Sequence, residues 1–174
     1  MKYRPLGKTG LMVSEIGLGI EHLEGKPYEV VDAVVNTALD GGVNIFDVFM
    51  PQPQLRSNVG RAIGKRRKDV FLQGHIGAVM NDGQYMRTRD PEKCDASIMD
   101  FLKRYDTDYI DLGMIHFVDT EEDYREAFDS TNIEYVRKLK EDGVVRFLGV
   151  STHDAATGIK MVNTGLIDMV MVSI

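Results

Sequence analysis

Short runs of Val, Ile, Leu and Met recur along the chain, each followed by a polar loop and then by apolar residues at helical spacing. Six such runs read as strands: Glu15 to Gly19, Val43 to Asp47, Val70 to His75, Tyr109 to His116, Val144 to Ser151 and Ile167 to Ile174. The spacing predicts helices between them. Val30, Val31, Val34, Val35 and Ala38 line one face of the first, which stops at Gly41-Gly42, a C-terminal signal. Leu55, Val59, Ala62 and Ile63 mark the second, ending at Gly64. Ala96, Ile98, Met99 and Leu102 mark the third, opened by Asp90-Pro91, an N-cap followed by proline at the first helical position. The fourth runs from about Asn132 to Asp142, and the fifth from near Asp154 to Gly165.

Strand and helix alternate with no hairpin expected after the N-terminus, an order that demands parallel strands joined by helical crossovers. Near-continuous apolar strands such as Met169-Val170-Met171-Val172 suit a sheet covered on both faces. An open doubly wound sheet and a closed barrel both satisfy this pattern. The dinucleotide-binding version of the open sheet needs Gly-x-Gly-x-x-Gly after its first strand, and Gly17-Leu18-Gly19 lies inside a strand without the third glycine. No internal linker or low-complexity segment divides the chain, so residues 1–174 read as one domain.

Composition narrows the function. The 174 residues are 43% hydrophobic and 28% charged, ordinary for a soluble domain, and short for a full eight-stranded barrel of about 250 residues. A net charge of −6 argues against nucleic acid or an anionic membrane as partner. The basic run Lys65 to Lys68 reads as a solvated helix end. A single cysteine, Cys94, leaves no disulfide and no thiolate cluster for zinc or iron–sulfur. With no apolar leader or membrane span in the sequence, a cytoplasmic location is expected.

The reactive residues collect at one place in the pattern. His22 follows strand one, Asp47 ends strand two, His75 ends strand three, His116 ends strand four and His153 follows strand five. In a closed parallel barrel these ends meet at one mouth. Histidine and aspartate there can serve as general acid–base groups or as donors to a carbonyl oxygen. His75, His116, His153 and Asp47 could instead hold a divalent metal for hydrolysis, although the paired histidines common after strand one of such hydrolases are replaced by Gly19-Ile20-Glu21-His22.

The N-terminal stretch Lys2 to Gly19, reading KYRPLGKTGLMVSEIGLG, resembles the opening of the aldo-keto reductases. The resemblance continues through Gly42 to Asp47, Tyr109 to His116 and Val145 to Ser151, covering essentially the whole chain in order. It implies an incomplete (β/α)₈ barrel of about six strands, with an N-terminal hairpin turning near Lys8-Thr9-Gly10 and plugging its bottom. It further implies an oxidoreductase that transfers hydride from NADPH or NADH to a small carbonyl substrate. The family's chemistry rests on aspartate, tyrosine, lysine and histidine. Asp47 and His116 match the first and last, whereas Gln52 stands at the tyrosine position and His75 at the lysine position. Glutamine has no proton to give, but His75 and His116 can act as acids near neutral pH. Tyr85, in the glycine-containing loop after strand three, is an alternative donor or a lid residue.

For the cofactor, the resemblance assigns contacts to Ser151, Thr152 and Asp47, with Ser151-Thr152 in place of the family's Ser-Asn. It puts the grip on the adenosine phosphate after strands seven and eight, which this sequence does not contain. The alternatives are a barrel that binds cofactor or regulates without turnover, and the metal-dependent hydrolase. Strands one and six are expected to lack neighbours, so either the rest of the barrel exists beyond this sequence or the chain self-associates through those edges.

Overall fold

In the computed structural model, which describes residues 1–128 and 131–172, strand and helix alternate much as the pattern predicts. β1 (Tyr3–Pro5) and β2 (Met12–Ser14) form an antiparallel hairpin. The parallel strands are β3 (Leu18–Gly19), β4 (Ile45–Asp47), β5 (Phe71–Ile76), β8 (Ile110–Ile115), β9 (Val145–Thr152) and β10 (Met169–Val172). They lie side by side in that order. A doubly wound sheet reverses its order at a switch point. Here each crossover adds the next strand on the same side, so the sheet curls as an incomplete barrel. Ser173 and Ile174, assigned above to the last strand, lie outside the described residues.

The crossovers are α1 (Tyr28–Asp40), α2 (Pro53–Ile63), α3 (Pro91–Arg104), α4 (Glu121–Phe128) with α5 (Thr131–Glu141), and α6 (Ala155–Val162). Their buried faces include Val31, Val35 and Leu39 on α1, Ile98 and Phe101 on α3, and Val136 and Leu139 on α5, all packed against the sheet. Val30 and Met99, expected on those faces, are instead exposed. Helix α4 was not expected, yet it carries a start signal: Asp123 accepts from the Thr120 backbone N–H and hydroxyl, and Thr120 Oγ1 accepts from Asp123 N–H.

The concave face of the sheet is layered. At the bottom Ile45, Phe71, Leu112, Phe147 and Met169 pack against Leu11 and Val13 of the N-terminal hairpin. The hairpin is therefore the expected plug. With side chains alternating along each strand, the same face carries Asp47, Gln73, Met114 and Met171 one layer higher, and His75 and Ser151 a further layer up at the mouth.

Two further corrections follow from tertiary packing. The run Lys65 to Lys68 lies in a 3₁₀ stretch, Gly64–Asp69, and Arg67 is buried rather than solvated. It donates to Asp111 Oδ2 at 2.9 Å, and Asp111 also accepts from Arg146 at 2.9 Å and from the Leu72 backbone N–H at 3.0 Å. The loop after β5 is a second hairpin, β6 (Ala78–Asn81) paired with β7 (Gln84–Arg87). Its turn residues Asp82 and Gly83 have φ of 49° and 77°, the two positive angles that a tight two-residue hairpin turn needs and that Asp-Gly supplies readily.

Candidate active site at the mouth of the sheet

Three of the four expected catalytic residues come together. Asp47 closes β4 and His75 lies near the end of β5, so parallel pairing brings both to one rim. His75 Nε2 lies 3.0 Å from Asp47 Oδ1, and the Gln73 side-chain amide donates to the same oxygen at 3.1 Å. His116 follows β8, the neighbour of β5, and its Nδ1 lies 2.8 Å from Nδ1 of His75. His116 is fully buried. Its pKa is pushed down to about 2, first by burial and then by His75, Arg89 and Arg87. The ring is therefore neutral at physiological pH.

The other nitrogen of His116 meets a residue from the unexpected hairpin. Tyr85 Oη lies 2.5 Å from His116 Nε2. Aromatic rings hold this group in place. Phe49 sits 5.6 Å from the His75 ring and 5.7 Å from His116, and meets Tyr85 edge-on. Phe117 stacks on His116 at 4.2 Å. To do so Phe117 adopts a φ of 47°, a left-handed conformation that costs a non-glycine residue about 1–3 kcal/mol. Its carbonyl accepts from Arg87 at 3.2 Å and Arg89 at 2.7 Å, which ties the strained turn to the hairpin.

Gln52 does not join the site. Its side-chain oxygen accepts from the Leu55 backbone N–H and caps α2. Proline at the first position of that helix is pre-organised for helical geometry, and the capping bond commits the Gln52 side chain to the helix end. Ser151 and Thr152 do reach the mouth. Together with Glu21, Asp47, Phe49, His75, His116, His153 and Met171 they line a cleft of about 230 Å³. Ser151 Oγ accepts from the Phe117 backbone N–H at 3.0 Å and still has its own proton to donate. Thr152 is committed to Asp119 at 3.1 Å and to the Asp154 carbonyl at 3.3 Å. His153 is exposed and pairs with Asp119 at 2.9 Å, while His22 is exposed on a 3₁₀ turn after β3. Among the described residues no group of three or more His, Cys, Asp and Glu side chains is arranged to hold a metal.

The profile of the Aldo/keto reductase family matches residues 15–174. The chain belongs to the aldo/keto reductase family. Over 156 residues it is 32% identical to "Uncharacterized oxidoreductase YqkF" of Bacillus subtilis, covering 87% of this chain and 49% of that protein. It is 31% identical over 157 residues to L-galactose dehydrogenase of Arabidopsis thaliana, covering 87% of this chain and 48% of that protein. Among solved structures, the holo form of aldo-keto reductase AKR11C1 from Bacillus halodurans superposes with a TM-score of 0.83 at 27% identity, over 100% of this chain and 58% of that one. The chain thus spans about half the length of the curated relatives it matches.

Within this aldo/keto reductase barrel, sequence reasoning missed Gln73, Phe49, Phe117 and the link from Tyr85 to His116. The alternation along β5 would have placed Gln73 on the same face as His75. Phe49 and Phe117 each lie within two residues of a strand end, where mouth residues concentrate.

Proposed function

We propose that this chain provides the proton-handling end of a nicotinamide-dependent carbonyl reductase. The observation that carries the reading is His75, which lines the mouth cleft and is held between the Asp47 carboxylate and the His116 ring. When bound, the nicotinamide would supply a hydride to the carbonyl carbon. The chain's own task is to hold a proton for the oxygen and to exclude water while it moves.

A carboxylate only accepts, so the proton between Asp47 and His75 resides on His75 Nε2. That N–H, on the cleft lining, is the group from which a nascent alkoxide would take its proton. Asp47 and Gln73 orient it, and Phe49 covers the ring pair. Ser151 fits the part of a donor to a nicotinamide amide, because its hydroxyl proton is uncommitted by the bond it accepts. Thr152 does not fit as well, since its one hydroxyl proton is shared between Asp119 and the Asp154 carbonyl. The cleft suits one ring or a carbonyl compound of a few carbons, being smaller than the roughly 300–1,000 Å³ of drug-sized sites. We take the preferred substrate to be such a compound and leave NADPH and NADH as equal candidates. Proton relay is favoured over metal hydrolysis because each ring nitrogen of the His75–His116 pair already has a protein partner.

The test is titration of the purified chain with NADPH and NADH, followed by fluorescence quenching, and then a panel of small aldehydes and ketones. Saturable quenching with turnover that collapses in His75→Ala supports the reading. Quenching without turnover selects the regulatory alternative, and no quenching with either cofactor overturns the reading.

A further inference from the structure

The hydrogen-bond directions along the buried chain can be assigned one after another. Asp47 accepts, so His75 Nε2 donates. A neutral imidazole has a single N–H, so His75 Nδ1 accepts and His116 Nδ1 donates across their 2.8 Å separation. His116 Nε2 then accepts, and the Tyr85 hydroxyl, 2.5 Å away, donates. Exposure changes in step: Tyr85 is 40% exposed, His116 0% and His75 8%, with His75 opening on the cleft instead of bulk solvent.

We propose that Tyr85, carried by the β6–β7 hairpin, is the solvent-side inlet of a proton relay that reaches the cleft through His116 and His75. It is a positioning residue acting through His116, and the proposal rests on the carbonyl-reductase reading above. The step balances. His75 Nε2–H breaks as its proton passes to the alkoxide. His116 gives its Nδ1 proton to His75 Nδ1, Tyr85 gives its hydroxyl proton to His116 Nε2, and water reprotonates the phenolate. When product leaves, water in the cleft reprotonates His75 Nε2, and His75 returns its Nδ1 proton to His116 Nδ1. His116 passes its Nε2 proton to the Tyr85 oxygen, and Tyr85 releases its hydroxyl proton to solvent. No ring gains charge as the protons shift, and His116, buried beside Arg87 and Arg89, stays neutral. The low proton affinity of His116 makes it a point of transit instead of storage, and burial keeps the Tyr85 hydroxyl protonated against the opposing pull of Arg87 and Arg89.

The hairpin also gives the relay a fixed geometry. Arg87 on β7 and Arg89 beyond it hold the Phe117 carbonyl, and Phe117 stacks on His116, so the strands that present Tyr85 also set the ring it addresses.

Tyr85→Phe tests this while keeping the edge-on ring packing against His116 and Phe49. In the wild-type chain, ¹⁵N imidazole shifts are expected to show His116 protonated at Nδ1 and unprotonated at Nε2. In Tyr85→Phe His75 still keeps His116 protonated at Nδ1, but the Nε2 acceptor loses its donor, and the His116 Nε2 resonance should shift. With a carbonyl substrate, kcat should fall at least about tenfold with KM nearly constant, and the solvent isotope effect on kcat should change. Gln84→Ala, on the same hairpin and exposed, should leave all three readouts at wild-type values and so controls for loss of the hairpin. An unchanged His116 Nε2 shift in Tyr85→Phe overturns the proposal, even where activity falls. A wild-type chain without turnover counts against the reductase reading, and the His116 Nε2 shift still decides this one.

Discussion

His75 Nδ1 and His116 Nδ1 face each other at 2.8 Å, with Asp47 beyond the first ring and Tyr85 beyond the second. Two protonated imidazoles at that distance would repel, and the buried member of the pair is held neutral, with its pKa pushed down to about 2 from 6.5. The unfolded chain therefore binds a proton at His116 that the folded chain refuses. His116 supports folding fully above about pH 6.5, and that support is lost progressively as pH falls toward 2. The slope approaches about 1.4 kcal/mol per pH unit. Urea denaturation at pH 7.0, 5.5 and 4.5 should show this loss in the wild type. The difference from His116→Asn should shrink by close to one proton's worth over the same range, and a constant difference would show that the ring is not held neutral.

Gln52 and His75 should behave as opposites. Gln52→Ala removes a helix cap, with an expected cost of about 1 kcal/mol in stability and little change in kcat. His75→Ala removes the donor at the cleft, and kcat should drop by about 10²–10⁴-fold. Paired melts and kinetics on both variants check this. Equal losses of kcat would mean that Gln52 does serve the reaction.

Asp111 is buried at the strand end away from the mouth, between Arg67 and Arg146. Removing one partner of a buried pair leaves a charge without compensation. Asp111→Ala should destabilise the chain by about 3–5 kcal/mol, and the imidazole tautomers at the mouth should be unaltered in whatever fraction remains folded. A drop of less than 1 kcal/mol by chemical denaturation would show that Arg67 finds water.

Gly60 poses two opposed effects. Alanine inside a helix is favoured over glycine by about 1 kcal/mol. A Cβ at Gly60, however, would collide with the backbone carbonyl of Arg104 at the end of α3. Backbone cannot yield as a side-chain tip does, so Gly60→Ala should lower the melting temperature. A rise would show that α2 and α3 can move apart without cost.

The edge of β10 supports a proposal about association. Met171 and Val172 are each 40% exposed there, and Ile159 and Val162 of α6 are exposed beside them. An unpaired apolar edge strand is a template for another chain. Light scattering on the 174-residue chain should show concentration-dependent association that Val172→Lys reduces. A monodisperse monomer at high concentration would sink the idea.

The sequence alone determined the order of strands and helices, most helix ends, the plug at the bottom and the placement of Asp47, His75 and His116 at one rim. These follow from local rules. Side-chain periodicity selects the element, glycine and capping residues end it, and alternation along a parallel strand selects the face. Two misses were local as well: Asp82-Gly83 and Thr120-x-x-Asp123 carried their signals openly. Only the tertiary structure decided which side chains the rim residues would meet. Tyr85 reaches His116 across 31 positions because the β6–β7 hairpin folds back over the mouth. Gln52, only five positions after Asp47, is turned away by the helix it caps. Arg67 looked like one cation in an exposed run, and the strand ends around Asp111 buried it. Each of these outcomes depends on distances between elements far apart in sequence, which periodicity along one element does not encode.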